Sequence, residues 1–268
     1  MPASSAPPDP PVATPDDHRL AADLAHATGR MLVDLRERLA ADGASPDRIR
    51  TEGDRRANTL LLEALAERAP DDAVLSEEEA GSRDTASRER RGAGRLWVVD
   101  PLDGTREYGD ATRGDWAVHV ALVIRHQPAA AAVTLPAQRL LLTTDPPPAP
   151  LPPAPAVPRI VVSRSRRPPF ADALADRLGG IVIQMGSAGA KAMSIVLGAN
   201  DIYVHDSGMY EWDSAAPVGV ARAAGLHTSR LDGTPLAYNN AEPRMPDLLI
   251  CRPELAAVVL ATLQDLGR

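Results

Sequence analysis

The sequence contains little of what several protein classes require. Among its 268 residues there is one cysteine, Cys251, which excludes an internal disulfide and a cysteine metal cluster. Cys251 lies in an apolar run, which predicts an inert buried thiol. No stretch approaches the roughly 18 uninterrupted apolar residues of a membrane span, and the N-terminus lacks a charged start followed by an apolar segment. We therefore expect a cytoplasmic protein without a membrane partner.

Aromatic residues and positive charge are also scarce. Aromatic side chains make up 3% of the sequence, which argues against stacking platforms for single-stranded nucleic acids. The formal net charge is −7, whereas a polymeric phosphate backbone requires a basic protein face. The six histidines lack the spacing of zinc ligands, so we interpret them as structural. A nucleotide would require only a few local cations, such as Arg164, Arg166, Arg167 or Lys191; solvated surface residues are the structural alternative.

Segments of different composition divide the chain. Residues 1–15 are rich in Pro, Ala and Ser and predict a flexible tail. Residues 145–158 contain eight prolines and cannot form a core element. We interpret them as the connection between an α+β half, residues 16–144, and an α/β half, residues 159–268.

Apolar periodicity predicts the elements of both halves. The first half is predicted to have helices at 18–40 and 55–68 and strands at 73–75, 96–99, 117–124, 130–134 and 140–143. The second half is predicted to have strands at 160–163, 181–185, 202–204 and 248–251 and helices at 171–178, 190–197, 214–224 and 254–266. The predicted class is therefore α/β, with an α+β first half.

The segment WVVDPLDGTREY combines an apolar strand pattern with two acids. Pro101 has no N–H for a strand ladder, so we expect the chain to turn there. A turn lets Asp100 and Asp103 converge, whereas a straight strand would place them on opposite faces. Gly104 permits a close backbone approach, and Thr105 adds a hydroxyl near a helix start. An Asp-Pro turn with a helix cap is the structural alternative.

Two further acidic segments point to the same chemistry. Glu77 belongs to a run of three acids after a short strand, and such a run is self-repelling unless a cation or solvent takes it up. Asp213 precedes an Ala-rich predicted helix, where negative charge is favourable. Solvated acids and a helix cap are the respective alternatives. Carboxylates, a hydroxyl and the carbonyl of Leu102 would suit a hard cation and a phosphate.

Together these segments resemble the lithium-sensitive, Mg²⁺-dependent phosphatase superfamily of inositol monophosphatases, fructose-1,6-bisphosphatases and bisphosphate nucleotidases. The motifs that carry the resemblance are D-P-L-D-G-T at 100–105, S-E-E at 76–78 and W-D-S-A-A at 212–216. The similarity covers roughly residues 20–266. It implies a layered α-β-α-β-α sandwich of the sugar phosphatase type, with the active site between the two halves.

Three shorter segments resemble the CysQ branch of this superfamily. They are R-E-Y at 106–108, V-S-R-S-R at 162–166, and the pair 186–187 followed by Lys191. Members of this branch remove the 3′-phosphate of adenosine 3′,5′-bisphosphate. The implied function is that hydrolysis, with PAPS as a second candidate substrate, in sulfur assimilation and nucleotide recycling.

The resemblance also implies a ligand set for two or three Mg²⁺ ions. One ion would be held by Glu77, Asp100 and the Leu102 carbonyl. A second would be held by Asp100, Asp103 and Asp213, so that Asp100 bridges the two. Ions paired in this way stabilise the attacking and leaving oxygens of an in-line displacement.

Catalytic and substrate-binding residues follow from the same resemblance. Thr105, paired with Asp54, would activate a water, with Glu77 as a further catalytic residue; a helix N-cap is the alternative for Asp54. The implied substrate-binding residues are Asp103, Gly104, Thr105, Arg106, Ser163, Arg164, Gly186, Ser187, Lys191 and Asp213. Arg164 or Lys191 would engage the 5′-phosphate.

Other functions stay open on the sequence alone. An inositol-1-monophosphatase or fructose-1,6-bisphosphatase would use the same mechanism. A non-catalytic module that binds a metabolite or cation would keep the fold without the reaction. The partner that we expect is a phosphorylated small molecule rather than a nucleic acid polymer, and a homodimer is compatible with the sequence.

Overall fold

The computed structural model describes residues 12–79, 92–206 and 208–268. Most of the predicted tail, residues 1–15, lies outside the described residues. The described part contains seven α-helices and twelve β-strands, which are numbered below in chain order.

Two long helices, α1 (Pro15–Ala41) and α2 (Pro46–Arg68), form the first layer. Helix α2 begins at Pro46 rather than at the predicted residue 55, because a serine cap and a proline at the first helical position start it. Asp54 therefore lies inside the helix, and the N-cap alternative is wrong. The buried stripe of α2 is one residue wide and gives a weak apolar signal: Ile49, Gly53, Ala57, Leu61 and Leu65.

The first sheet has five strands in the order β1-β2-β3-β4-β5. They are β1 (Ala73–Ser76), β2 (Arg95–Asp103), β3 (Ala117–Ile124), β4 (Gln127–Leu135) and β5 (Leu140–Thr143). Strand β1 is parallel to β2, and the other neighbours are antiparallel. The C-terminal ends of β1 and β2 therefore lie at the same edge of the sheet. This edge carries Glu77, which follows β1, and Asp100 and Asp103, which lie at the end of β2.

The sequence led us to expect a turn at Pro101, but strand β2 continues through Pro101 to Asp103. Asp100 pairs with His119 and Asp103 pairs with Ala117, with an irregularity between the two pairs. A bulge of this kind accommodates a proline and redirects the side chains that flank it. The predicted convergence of the two acids is thus achieved by a bulge within the strand instead of a turn after it.

The second sheet lies in the C-terminal half and has the order β10-β12-β8-β6-β7. Its strands are β6 (Arg159–Ser163), β7 (Ile181–Met185), β8 (Ile202–His205), β10 (His227–Ser229) and β12 (Leu248–Cys251). A separate ribbon pairs β9 (Met209–Tyr210) with β11 (Arg244–Met245). The remaining helices are α3 (Thr105–Gly109), α4 (Ala171–Leu178), α5 (Ala188–Val196), α6 (Glu211–Ala223) and α7 (Pro253–Asp265).

The protein has five layers, which pack through three apolar clusters; one cluster surrounds the central helical layer and reaches both sheets. Trp97 packs in the cluster between the first sheet and helices α1 and α2, whereas its neighbour Val98 faces the opposite cluster, as strand alternation requires. That second cluster contains Met193 of α5 and Tyr203 of β8, so α5 and α6 lie between the two sheets. Helices α4 and α7 cover the far face of the second sheet, where Cys251 is buried. This is the predicted α-β-α-β-α sandwich.

The proline-rich segment joins the two sheets. Residues 144–158 contain neither helix nor strand. Arg252, which directly precedes α7, holds this segment: its guanidinium donates a hydrogen bond to the Pro152 carbonyl at 2.6 Å. None of the described helices is both long and apolar enough to cross a membrane.

Candidate active site

A cleft of about 550 Å³ opens where the acid-bearing edge of the first sheet meets the C-terminal half. Most of the site residues predicted from the sequence line it. They are Glu77, Asp100, Leu102, Asp103, Gly104, Thr105, Arg106, Ser163, Gly186, Ser187, Lys191 and Asp213. Asp54 lies behind Thr105, and Arg164 does not line the cleft.

Three carboxylates converge at the floor of the cleft. Asp100, Asp103 and Asp213 each offer an oxygen within 4.8 Å of the other two. Asp100 is 1% exposed and Asp103 is 7% exposed. Asp213 is the third residue of α6, which begins at Glu211. Its carboxylate accepts a hydrogen bond from the N–H of Tyr210, the residue before the helix, at 2.6 Å, so Asp213 also caps the helix from within its first turn.

Repulsion among these acids disturbs their protonation. Burial, followed by the charge of Glu77, raises the pKa of Asp100 well above its usual value. Burial, followed by the charge of Asp213, raises the pKa of Glu77 to about 7, although Glu77 keeps an exposed surface. Burial and the charge of Asp103 raise the pKa of Asp213 to about 6. A divalent cation at this point would relieve the repulsion.

Asp103 differs from its neighbours because the N-terminus of α5 binds it. Its carboxylate accepts hydrogen bonds from the Ser187 hydroxyl, the Ala188 N–H at 3.1 Å and the Gly189 N–H at 2.6 Å. Burial alone would raise the pKa of Asp103, but the adjacent His119 ring, followed by the charge of Lys191 and the Ser187 hydroxyl, lowers it below the usual value. The first turn of α5, in the C-terminal half, thus holds a carboxylate of the N-terminal half.

His119 is a buried contact of this cluster that the sequence reasoning missed. Its Nε2 lies 3.3 Å from Asp103, outside hydrogen-bond geometry, and its Nδ1 lies 3.0 Å from the Trp212 carbonyl. A Cβ at Gly189 would lie 2.0 Å from Nε2, so a glycine is needed for the ring to fit. A polar residue opposite Asp100 within an apolar strand was the available signal. His205, also interpreted as structural, lines the cleft.

A hydroxyl and a carboxylate lie beside the three acids. The Thr105 hydroxyl is 3.2 Å from Asp54 Oδ1 and 3.2 Å from the Leu102 carbonyl, and it can donate to either. Burial, followed by the charge of Glu78, raises the pKa of Asp54 to about 7. Gly104 precedes Thr105 with a φ of +88°, a left-handed conformation that favours glycine. The pair can therefore exchange a proton near neutral pH.

Basic groups line the same cleft. Lys191 is buried, and its Nζ donates to the carbonyls of Gly186 at 3.0 Å and Ser187 at 2.6 Å. Burial lowers the pKa of Lys191 to about 8. Arg106 and Arg166 also line the cleft and are exposed. These cationic groups can attract phosphate groups into the cleft.

Two further predicted substrate contacts, Arg164 and Gly186, also have protein partners. The Arg164 guanidinium donates to Glu107 at 2.8 Å and to Asp115 at 2.7 Å. The Gly186 N–H donates to Asp115 at 2.7 Å. Strand β6 ends at residue 163, so strand alternation could not reveal which arginine of the V-S-R-S-R segment faces the cleft.

Comparison with known proteins gives a consistent result. The sequence profile described as "Inositol monophosphatase family" matches residues 19–268. The 3′-phosphoadenosine 5′-phosphate phosphatase of Mycobacterium leprae is 44% identical over 261 residues, which cover 93% of this chain and 94% of that protein. Inositol monophosphatase II from Staphylococcus aureus superposes with a TM-score of 0.75 at 20% identity, covering 92% and 95% of the two chains. CysQ from Bacteroides thetaiotaomicron superposes with a TM-score of 0.70 at 24% identity, covering 88% and 97%.

Proposed function

We propose, because the chain belongs to the inositol monophosphatase family, that it is a Mg²⁺-dependent phosphomonoesterase that removes the 3′-phosphate of adenosine 3′,5′-bisphosphate to give AMP and phosphate. The observation that carries the proposal is the convergence of Asp100, Asp103 and Asp213. The choice of substrate is supported by the relative of 44% identity, which is named as a phosphatase of this nucleotide. PAPS is the second candidate substrate, and sulfur assimilation is the proposed context.

The acids fit a divalent cation. Burial and neighbouring acids raise the pKa of both Asp100 and Glu77, so a cation would favour the ionised form of both groups. Oxygen ligands of this kind suit Mg²⁺. Glu77, Asp100 and the Leu102 carbonyl would hold one ion, and Asp100, Asp103 and Asp213 a second. When bound, Mg²⁺ would offset the charge that develops on the phosphate.

Thr105 and Asp54 would handle the proton of the attacking water. Thr105 would accept that proton while its own hydroxyl proton moves to Asp54 Oδ1, 3.2 Å away. A carboxylate with a pKa of about 7 is matched to this task at neutral pH. Glu77, the further catalytic residue that the resemblance implies, would act through the cation that it helps to hold.

A second phosphate on the substrate would meet the basic groups of the cleft. Arg106 and Arg166 are exposed in the cleft and can reorient toward the 5′-phosphate. Lys191 would contribute positive charge from its buried position, with two of its donors already used by carbonyls. A monophosphate such as inositol 1-phosphate would use fewer of these groups.

We further propose that the enzyme acts in the cytoplasm; a homodimer stays a prediction.

The proposal is tested by comparing kcat/KM for four substrates. These are adenosine 3′,5′-bisphosphate, adenosine 3′-monophosphate, inositol 1-phosphate and fructose 1,6-bisphosphate, each with Mg²⁺ and with EDTA. We expect the bisphosphate nucleotide to be preferred and EDTA to abolish turnover. Equal or higher kcat/KM for inositol 1-phosphate would overturn the nucleotidase assignment. Absence of phosphate release from all four would favour the non-catalytic module.

A further inference from the structure

Arg164 bridges two carboxylates that come from different parts of the first half. Its guanidinium donates to Glu107 of α3 and to Asp115 in the loop before β3. Both carboxylates are largely buried, with 13% and 12% of their side chains exposed. Arg164 itself follows β6 of the second sheet. These three residues, which we call the Arg164 bridge, connect the two halves directly beside the cleft.

The Arg164 bridge also holds the turn between β7 and α5. Asp115 accepts the Gly186 N–H at 2.7 Å, and the Arg164 N–H donates to the Met185 carbonyl at 3.0 Å. Burial alone would raise the pKa of Asp115, but hydrogen bonds from Arg113, Gly186 and Arg164 lower it to about 2. Asp115 is therefore a firmly ionised anchor for the turn.

Close packing makes the position of this turn depend on Glu107. A Cβ at Gly186 would lie 2.3 Å from Glu107 Cδ and 2.3 Å from Oε1. Such a distance leaves no room for any side chain at position 186. Because Arg164 holds the Glu107 carboxylate, the backbone of Gly186 rests against a fixed group.

The same turn supplies the donors that hold Asp103. Residues 187–189 follow Gly186 directly, and they provide the Ser187 hydroxyl and two backbone N–H groups to the Asp103 carboxylate. Ser187 has a φ of +41°, which is unfavourable for a residue with a side chain and persists only when its surroundings fix it. A shift of the turn would therefore move Asp103.

We propose that Arg164 is a positioning residue, which through Glu107 and Asp115 fixes the turn at 186–189 and so the orientation of Asp103, and that it does not contact the substrate. The proposal deepens the proposed function and rests on it where turnover is measured. It reverses the expectation from the sequence that Arg164 binds the 5′-phosphate.

The test compares Arg164→Gln with Arg167→Gln in the full chain. Arg167 is a matched control, because it is three residues away, carries the same charge and pairs with Asp172 on the surface. We expect Arg164→Gln to lower kcat/KM about 10- to 100-fold, since small misplacements of catalytic groups have effects of this size. The loss should be the same for adenosine 3′,5′-bisphosphate and adenosine 3′-monophosphate. A selective loss for the bisphosphate would show that Arg164 binds the 5′-phosphate and would overturn the proposal.

A second measurement needs no substrate. The rise in Tm with Mg²⁺ concentration reports metal binding, and its midpoint should move at least threefold to higher Mg²⁺ in Arg164→Gln but not in Arg167→Gln. A lower Tm with an unchanged Mg²⁺ midpoint would mean that Arg164 serves stability alone, and would overturn the proposal. This measurement keeps its meaning if another phosphate ester turns out to be the substrate.

Two neutral variants keep the test decisive if Arg164→Gln does not fold. Glu107→Gln and Asp115→Asn preserve shape while removing one carboxylate of the Arg164 bridge. We expect each to shift the Mg²⁺ midpoint in the same direction. Arg164→Lys should not restore it, because an ammonium group lacks the fork that reaches two carboxylates. Full restoration by Arg164→Lys, or wild-type midpoints in both neutral variants, would contradict the bridging role.

Discussion

Asp54→Asn should stabilise the metal-free protein at high pH while it slows the reaction. Burial, followed by the charge of Glu78, raises the pKa of Asp54 from 3.8 to about 7. In the unfolded chain this group ionises at about 3.9. The folded state therefore loses stability as the pH rises from the unfolded pKa to the folded pKa, and the loss is complete above about pH 7.

The size of the effect follows from the shift. One pKa unit corresponds to about 1.4 kcal/mol, so a rise from 3.8 to about 7 corresponds to roughly 4 kcal/mol at pH 8. A weaker hydrogen bond from Thr105 to the neutral amide would offset about 1 kcal/mol of this gain. We expect Asp54→Asn to raise the free energy of unfolding by about 3 kcal/mol at pH 8, or about 5–10 °C in Tm. At pH 4 the difference should nearly vanish.

Thermal unfolding in EDTA across pH 4–8 measures this difference without interference from bound metal. Asp34→Asn is the control, because Asp34 is an exposed aspartate on α1. Its Tm difference from the wild type should not grow with pH. Equal stabilisation by Asp54→Asn at pH 4 and pH 8 would refute the reasoning, because the effect would then not come from ionisation.

The same substitution tests the catalytic assignment. If Asp54 accepts the proton from Thr105, kcat of the wild type should fall below about pH 7, and Asp54→Asn should lower kcat and lose this acidic limb. An acidic limb that survives unchanged in Asp54→Asn would show that another group accepts the proton.

Three further substitutions probe the cleft. Asp100→Asn should remove nearly all turnover yet raise Tm in EDTA near neutral pH, because an amide avoids the cost of burying a carboxyl whose pKa is raised well above its usual value; turnover within a few-fold of wild type would reject the metal role. Thr105→Ala should lower kcat by about 10²–10⁴-fold with little change in KM; a rise in KM alone would make Thr105 a binding residue. Gly189→Ala should lower the free energy of unfolding by about 1–3 kcal/mol, since its Cβ would lie 2.0 Å from His119 Nε2; an unchanged midpoint in denaturant would show that the ring can move aside.

The sequence predicted elements and layers well where the apolar pattern was strong. Strand β3 matches the predicted residues 117–124, because every residue in it is buried and only His119 interrupts the apolar run. Helix α2 was underestimated, because its buried stripe includes Gly53 and Ala57, which carry little apolar signal. The bulge in β2 could not be predicted, because Pro101 is compatible with both a turn and an irregular strand.

Site residues divide in a similar way. Asp100, Asp103 and Asp213 could be found from motifs, because each lies next to a strand end or helix start that directs it to one edge. Arg164 and His119 could not be placed, because their partners are distant in sequence and their side chains act on other protein groups. An arginine beside a phosphate site and an arginine in an ion pair look the same in a linear chain.

The two halves of the protein meet in the carboxylate of Asp103. The N-terminal half contributes the side chain and the His119 ring, and the start of α5 in the C-terminal half contributes the hydrogen-bond donors and Lys191. The His119 ring, Lys191 and Ser187 keep Asp103 ionised, whereas the pKa values of Asp100 and Asp213 are raised. An ionised Asp103 would give an incoming cation one anionic ligand that need not first lose a proton. Because those donors belong to the turn that the Arg164 bridge holds, any change in packing between the halves should alter metal affinity before it alters the fold. Metal affinity is therefore the property in which a mutation at the interface of the two halves should first be detected.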